Sequence, residues 1–397
     1  MRAFALRADD RQACRPCSDP PQQRRPLPES EVTIAELLRQ AGYATGLIGK
    51  WGLGGTDTPG HPNRQGFDSF FGYLSQTHAH NYYPSHLYRN EERVELPNQV
   101  PNEGRAGTGW ATTRIAYSHD LFARESLEFV ERHRHEPFFL YLAFTIPHAN
   151  NEAGRLGKNG MEVPDFGEYA ERDWPAPQKG LAAMITRMDA DIGRLLDKID
   201  DLGLGENTLV LFSSDNGPHK EGGNNPQFFH SSGPLRGIKR DLFEGGIRVP
   251  TIARMPGTVA AGTVSDHPSA FWDFLPTACE AAGIEAPSGL DGISYWPALT
   301  GRGVQAAHDY LYWEIPEVGG RQAIQQGDWK AIRHNASANP DGPVQLYNLA
   351  EDPGEERDLA ERFPDLAHSL AQRMIEARGG KPFPKQGSRG RARSSAG

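Results

Sequence analysis

Two oxygen-bearing side chains, Asp215 and Asn216, follow an apolar run in the segment LVLFSSDNGPH, residues 209–219. Their carboxylate and amide oxygens are hard ligands, which suit Ca²⁺ or Mg²⁺ better than a soft metal. An Asn-Gly turn capped by the Asp explains the same dipeptide, and for the dipeptide alone this is the commoner structure. The pair therefore indicates a cation site only in combination with other groups.

A basic segment, GPLRGIKRDLFEGGIRVP at residues 233–250, is the second source of chemistry. Its glycines would allow ammonium and guanidinium groups to approach a tetrahedral oxyanion closely. A solvated surface loop is the equally simple alternative. Its cations are Arg236, Lys239, Arg240 and Arg248, and they lie around Glu244 in the sequence.

Lys50 and His148 each stand at the end of an apolar run, YATGLIGK and FFLYLAFTIPH. A single histidine in such a place is more often a packed or capping residue than a catalyst. His78 and His80 lie in QTHAH, which has no helical spacing, so we expect them to line a pocket at most.

Three cysteines, at positions 14, 17 and 279, are too few for a disulfide scaffold. The spacing of Cys14 and Cys17 would allow zinc binding or redox chemistry. The chain has no second pair of this kind, so an unstructured pair is the favoured interpretation.

Helices and strands alternate along most of the chain. TIAELLRQAG offers Thr33 as an N-cap with Glu36 three residues later, and an apolar run follows. The long amphipathic segment at residues 181–203 leads in the same way to the strand before Asp215. This alternation predicts an α/β sheet flanked by helices. The carboxyl ends of its strands would then bring Lys50, His148 and Asp215 to one edge.

Four regions are predicted. Residues 1–28 form an irregular segment, 29–304 an α/β catalytic domain, and 305–378 a C-terminal subdomain with a small antiparallel sheet and a helix. Residues 379–397 form a polar tail that cannot bury enough surface to order itself.

Composition excludes some functions. The chain has 42 Lys and Arg against 51 Asp and Glu, a net charge of −9, which argues against a sequence-independent nucleic-acid binder. No apolar run is long enough to span a membrane. The N-terminus lacks the apolar core of a signal peptide, so a cytoplasmic location is expected for the chain as written.

An ordered series of segments over residues 27–378 resembles the type I sulfatases of the arylsulfatase class, within the alkaline-phosphatase-like superfamily. The series runs through GLIGKWGLG, GFDSFFGYL, FFLYLAFTIPH, LFSSDNGPH, GIKRDLFEGG, WDFLPT, GDWKAI and LYNLAEDPGEERDLA. The resemblance implies a mixed sheet sandwiched by helices with a small C-terminal α+β subdomain. It also implies hydrolysis of a sulfate monoester in a sulfated small molecule or carbohydrate.

Site roles follow from the same resemblance. Asp215 and Asn216 would be ligands of Ca²⁺, with Mg²⁺ as the alternative ion. Lys50, Lys239 and Arg248 would bind the sulfate, and Glu244 and Arg248 would support the lysine loop. His148 would contact the ester oxygen. The nucleophile of the family is a formylglycine made from a cysteine by a maturing enzyme, and the family is often exported.

The chain departs from the family pattern near its start. CRPCS has Cys14 in the nucleophile position but Ser18 where the family has arginine, and Gly52 replaces a histidine of many relatives. Asp9 and Asp10 echo the family's metal-binding Asp pair, but they lie too close to Cys14 in sequence. These departures predict an N-terminally truncated sulfatase with poorly packed residues 1–28 and little activity. The alternatives are an inactive remnant that binds sulfated ligands, and a phosphodiesterase or phosphonate hydrolase of the same superfamily.

Overall fold

The structure is a computed structural model that describes residues 26–101, 103–104, 107–381 and 383. Its described residues divide into two compact units. The first unit contains those of 26–231 and 249–307, and the second contains those of 232–248 and 308–383. The basic segment predicted to bind an anion therefore belongs mainly to the second unit.

The first unit has a five-stranded mixed sheet. Its strands in chain order are β1 (Ala44–Lys50), β2 (Ser69–Tyr73), β3 (His86–Arg89), β4 (Glu92–Glu95) and β5 (Phe138–Ala143). The strand order is β4-β3-β2-β1-β5. Strand β1 is parallel to both β2 and β5, whereas β3 is antiparallel to β2 and β4. The mixed sheet confirms the α/β prediction.

Helices pack on both faces of this sheet. Helices α1 (Ile34–Gln40) and α2 (Ser118–Arg132) contact strand β1, whereas the long helix α4 (Ala176–Asp201) packs against α2; the short helix α3 (Asn151–Arg155) follows β5 in the chain. Neighbouring residues of a strand point to opposite faces. Leu47 accordingly packs in a cluster with Ala35 of α1, and Ile48 packs in another with Phe122 and Phe129 of α2. Helix α1 begins with the predicted capping box between Thr33 and Glu36.

The strand before Asp215 pairs differently from our expectation. This strand, β6 (Val210–Ser213), is antiparallel to β7 (Thr251–Arg254), with Phe212 opposite Ile252. Among the described residues these two strands form a sheet of their own instead of extending the five-stranded sheet. Strand pairing depends on contacts between distant segments, which local sequence patterns do not specify.

The second unit is built on a four-stranded antiparallel sheet. The strands of this sheet are β8 (Leu311–Ile315), β9 (Arg321–Gln326), β10 (Trp329–His334) and β11 (Gln345–Asn348), in the order β11-β10-β9-β8. The second unit also contains the short helix α5 (Glu244–Ile247). Helices α6 (Phe274–Ala281) and α7 (Trp296–Thr300) belong to the first unit. Helix α8 (Pro364–Ala377) packs on this sheet through Leu370 and Met374. The predicted small antiparallel sheet with its helix is confirmed. Within the described part of the chain, no helix is both long and apolar enough to cross a membrane.

Candidate active site

Lys50 lies at the carboxyl end of strand β1, between β2 and β5, where its main chain pairs with Tyr73 of β2. On the other side of β1, Gly49 is opposite Ala143, the last residue of β5. A Cβ atom at Gly49, which has φ +111°, would lie 2.1 Å from the Ala143 carbonyl oxygen, so only glycine allows this approach. Because β1 and β5 are parallel, Lys50 and the segment after β5 emerge at the same sheet edge.

His148 lies in that segment, five residues beyond the end of β5. Its Nδ1 is 2.8 Å from the Ala149 carbonyl oxygen, and its Nε2 is 3.3 Å from Oε2 of Glu221. The His148 side chain is 20% exposed and that of Glu221 is 16% exposed. The histidine is therefore oriented by contacts at both ring nitrogens and still reaches solvent.

Two further histidine rings flank His148. His80 is stacked on one side, with ring centroids 5.2 Å apart and planes only 7° from parallel. His219 lies 5.6 Å from His148, with its plane tilted by 30°. We call these three rings the imidazole stack. His80, which we expected to line a pocket at most, is thus in direct contact with the candidate catalytic histidine.

Each flanking ring has its own anchor. Nδ1 of His80 is 3.2 Å from Oε2 of Glu152 on helix α3. Burial alone would raise the pKa of Glu152, but the hydrogen bond and charge of His80 bring it below its ordinary value. His219 has Nε2 2.9 Å from the Pro147 carbonyl oxygen and accepts the Glu221 amide at Nδ1, 3.1 Å away. These two backbone contacts correspond to a neutral ring protonated at Nε2.

Asp215 and Asn216 directly follow β6. Asp215 is exposed and Asn216 is half-buried, with its Nδ2 donating to the Gly217 carbonyl oxygen at 2.9 Å. The pKa of Tyr141 on β5 is raised by burial and also by the negative charge of Asp215, so these two side chains are neighbours. The Tyr141 hydroxyl is buried without a hydrogen-bond partner among the described residues.

The side-chain oxygens of Asp215 and Asn216 are the type of ligand that Ca²⁺ prefers, but they fill only part of its coordination shell. Asp215 offers carboxylate oxygens, and Asn216 offers Oδ1 because its amide nitrogen is engaged by Gly217. Ca²⁺ takes about six to eight oxygen ligands. No group of three or more acidic, histidine or cysteine side chains suited to a metal occurs in the part of the chain that is described. The two residues can therefore hold the ion only together with other oxygen donors.

The second unit carries Lys239 and Arg248. The loop around Lys239 is braced by Asp241, whose Oδ2 accepts the Ile238 amide at 2.9 Å and whose Oδ1 pairs with Arg321 of β9. Arg248 is 62% exposed, and its NH1 lies 3.8 Å from Oε2 of Glu244. Arg248 is thus only loosely attached to Glu244.

Glu244 is anchored much more firmly at its other oxygen. Its Oε1 accepts from the fully buried Nζ of Lys330 at 2.7 Å, and that ammonium is also 3.0 Å from Oε1 of Glu355. The contact between Lys330 and Glu355 is an ion pair without a hydrogen bond, since Oε1 of Glu355 has no hydrogen-bond partner among the described residues. Oε2 of Glu355 accepts the Glu244 amide at 2.5 Å. This buried triad fixes the start of α5.

The predicted site residues thus fall into three groups. Lys50, His148, Asp215 and Asn216 belong to the first unit, and Lys239 and Arg248 belong to the second. Cys14, Cys17, Asp9 and Asp10 lie outside the described residues, as do residues 1–25 of the segment predicted to pack poorly. Their roles remain predictions.

Gly52 occupies a place where the family often has histidine. It is half-buried with φ +109°, and a Cβ atom there would lie 2.5 Å from Cγ of Gln76. The Gln76 side chain therefore occupies the space next to this position. A larger residue at 52 would require Gln76 to move.

Sequence reasoning missed Glu221, Glu152 and His219 as parts of the site. The usable signal was the continuation of the Asp-Asn segment, DNGPHKE, which places a histidine and a glutamate within six residues of Asp215. The histidines of THAH gave a second signal, but only the fold shows that His80 reaches His148, which is 68 positions away in sequence.

Comparison with known proteins identifies the relatives. The family profile described as Sulfatase matches residues 12–284, and the profile described as N-sulphoglucosamine sulphohydrolase, C-terminal, matches residues 238–379. Human arylsulfatase A is 31% identical over 89% of this chain and 73% of its own length. Human N-acetylgalactosamine-6-sulfatase is 31% identical over 87% of this chain and 67% of its own.

A solved structure shows the same fold. The crystal structure of Ps i-CgsB in complex with k-i-k-neocarrahexaose has a TM-score of 0.73 and 26% sequence identity. The match covers 92% of this chain and 78% of that one.

Proposed function

The chain belongs to the type I sulfatases of the alkaline-phosphatase-like superfamily, and we propose that its site cleaves a sulfate monoester with His148 assisting the departing alcohol. The observation that carries this proposal is the orientation of His148. Its Nδ1 is committed to a backbone carbonyl, so Nε2 is the nitrogen left to exchange a proton with a ligand. Lys50 emerges at the same sheet edge, which supports a role in binding the sulfate.

Positive charge in the basic segment of the second unit suits an anion such as sulfate. In this proposal Lys50, Lys239 and Arg248 bind sulfate oxygens, and Glu244 holds the lysine loop through its contact with Lys330. Asp215 and Asn216 are proposed as ligands of a Ca²⁺ ion. When bound, such an ion neutralises negative charge on the sulfuryl oxygens.

Cys14 is the proposed nucleophile position, converted to formylglycine by a sulfatase-maturing enzyme. Ser18 stands where the family has arginine, so we propose that the turnover of this chain is low. The nucleophile and its supporting groups act as a unit, and intact lysines do not compensate for a weakened nucleophile.

A sulfated carbohydrate is the proposed substrate class. Support comes from Ps i-CgsB, which shares the fold and whose structure contains neocarrahexaose. The polar lining of the site, with two carboxylates beside the imidazole stack, also suits a hydroxylated leaving group, since sugar hydroxyls can donate to carboxylates.

The test is turnover by the chain coexpressed with a formylglycine-generating enzyme. We expect slow, calcium-dependent hydrolysis of 4-nitrophenyl sulfate that is lost in Lys50→Ala and in Cys14→Ala, and no hydrolysis of bis(4-nitrophenyl) phosphate or a phosphonate ester. Binding of a sulfated sugar without any turnover would instead identify an inactive remnant. Faster cleavage of the phosphorus substrates would indicate a phosphodiesterase or phosphonate hydrolase.

A further inference from the structure

Several polar side chains around His148 have no role in the proposed function. The imidazole stack is accompanied by two carboxylates, Glu152 at His80 and Glu221 at His148, and all five residues belong to the first unit. Their side chains come from three separate stretches of sequence. A group of three adjacent rings, two of which are paired with carboxylates, calls for an explanation beyond packing.

Hydrogen-bond chemistry restricts the protonation of His148. The Ala149 carbonyl oxygen can only accept, so Nδ1 of His148 carries a proton. At the other nitrogen, a Glu221 carboxylate in its ionised form can also only accept. A neutral His148 would therefore direct the Nε2 lone pair at a carboxylate oxygen 3.3 Å away, whereas a proton on Nε2 turns the same contact into an ion pair.

The stacked neighbour restricts the orientation of the ring. His80 lies parallel to His148, and Glu152 of α3 holds His80 through its Nδ1. The lowered pKa of Glu152 keeps that carboxylate ionised at neutral pH, so the anchor of His80 persists. His219 closes the other side with both ring nitrogens in contact with the backbone.

We infer that Glu221 keeps His148 doubly protonated and that His80, held by Glu152, fixes the plane of the His148 ring. This inference rests on the proposed function, in which both are positioning residues for one proton transfer. As the nucleophile oxygen bonds to sulfur, the bond from sulfur to the ester oxygen breaks and leaves its electron pair on that oxygen. The ester oxygen takes the Nε2 proton and departs as an alcohol.

The length of the ion pair is consistent with this transfer. Charge-assisted N–H···O contacts are typically about 2.7–2.9 Å long. The separation of 3.3 Å between Nε2 and Glu221 is longer, and one fifth of the His148 side chain is exposed. The Nε2 proton can therefore be shared with an acceptor that enters the cleft, while the carboxylate stays close enough to stabilise the charge.

The protonation state can be read directly by NMR. The whole chain is labelled with [¹⁵N]histidine, and the ring signals of His148 are assigned among the 14 histidines by their loss in His148→Gln. At pH 7 both ring nitrogens of His148 should show the shifts of an imidazolium. In Glu221→Gln the ring should become neutral with Nε2 unprotonated, and its titration midpoint should fall by about one pH unit or more.

A matched control removes a carboxylate elsewhere. Glu136 lies 2.7 Å from Nδ1 of His133 in an exposed pair, so Glu136→Gln makes the same change of charge. It should leave the His148 signals unchanged. For the ring plane, His80→Phe should preserve the ring-current shifts that ring 80 causes at the His148 carbon-bound protons, and His80→Ala should remove this contribution and leave only that of His219.

A neutral His148 at pH 7 in the unmodified chain, or an unchanged titration in Glu221→Gln, overturns the inference. Phenyl sulfate turnover is measured on the same samples. An imidazolium without turnover counts against the proposed function alone, whereas turnover with a neutral His148 counts against this inference alone. In an active sample, Glu221→Gln should slow phenyl sulfate more than 4-nitrophenyl sulfate, because the poorer leaving group needs the proton more.

Discussion

Replacing Lys330 by methionine should destabilise the second unit severely, because it leaves two buried carboxylates without their cation. Lys330 and Glu355 are fully buried and the Glu244 side chain is 7% exposed. Methionine fills similar space, so the change is mainly one of charge. Removing one partner of a buried ion pair costs about 3–5 kcal/mol in free energy of unfolding, and we expect a loss in this range at pH 8.

The loss should depend on pH with a definite sign. Burial raises the pKa of Glu355, and the charge of Lys330 opposes that rise. Without the ammonium the pKa of Glu355 rises further above its unfolded value. A carboxyl group of this kind favours the folded state at low pH, and this contribution is lost as pH rises through the folded pKa. The cost of Lys330→Met should therefore be clearly smaller at pH 5.5 than at pH 8.

Denaturant unfolding at the two pH values provides the measurement. Lys330→Met combined with Glu355→Gln should recover part of the loss, because one of the stranded charges is gone. The control is Arg93→Met, which breaks a pair whose side chains are 50% and 68% exposed and should cost less than about 1 kcal/mol. A loss below about 1 kcal/mol for Lys330→Met at pH 8, or an equal loss at both pH values, would refute the reasoning from a buried triad.

Two further predictions concern the first unit. The pKa of the buried His78 is lowered to about 3, chiefly by burial and then by the charges of His86 and Arg93. Because the unfolded chain takes up the proton first, the free energy of unfolding should fall as pH drops below about 6.5, and this residue should account for about 2 kcal/mol of the loss at pH 5. His78→Phe should remove that part of the pH dependence in denaturant unfolding. A steeper loss in His78→Phe than in the unmodified chain would contradict it. Millimolar Ca²⁺ should raise the melting temperature of the unmodified chain, and Asp215→Ala should abolish this rise. Asp309→Ala is the control and should leave the rise intact. An equal rise in the unmodified chain and both variants would exclude Asp215 as a ligand.

Local signals in the sequence were sufficient for much of the fold. The capping box of Thr33 and Glu36 predicted helix α1, which ends at Gln40, just before the predicted stop at Gly42. The apolar run before Pro147 predicted β5. Such features depend on residues a few positions apart, where side-chain chemistry and spacing specify the backbone directly.

Contacts over long sequence separations were not predictable in the same way. Ile185 is one of the apolar residues of the amphipathic segment at 181–203, yet its side chain in helix α4 is 45% exposed, because the packing partners of a helix decide which part of its apolar surface is buried. The stacking of His80 on His148 and the pairing of β6 with β7 likewise depend on tertiary packing. Motif order could suggest His148 as a site residue, but it could not supply the two carboxylates.

In both units, the candidate charged residues are held in place by hydrogen bonds and ion pairs from neighbouring residues. Charged groups stabilise a transition state well only when they cannot reorient during the reaction. In the first unit His148 is fixed by a carbonyl, a carboxylate and a stacked ring, and in the second unit the loop of Lys239 is fixed through Asp241 and Glu244. In the proposal that Lys239 binds sulfate, the buried cation Lys330 acts on anion binding indirectly, by holding Glu244. Lys330→Met should then weaken sulfate binding at Lys239 even where the unit remains folded, since one of the two anchors beside the lysine loop would be lost while Asp241 remains.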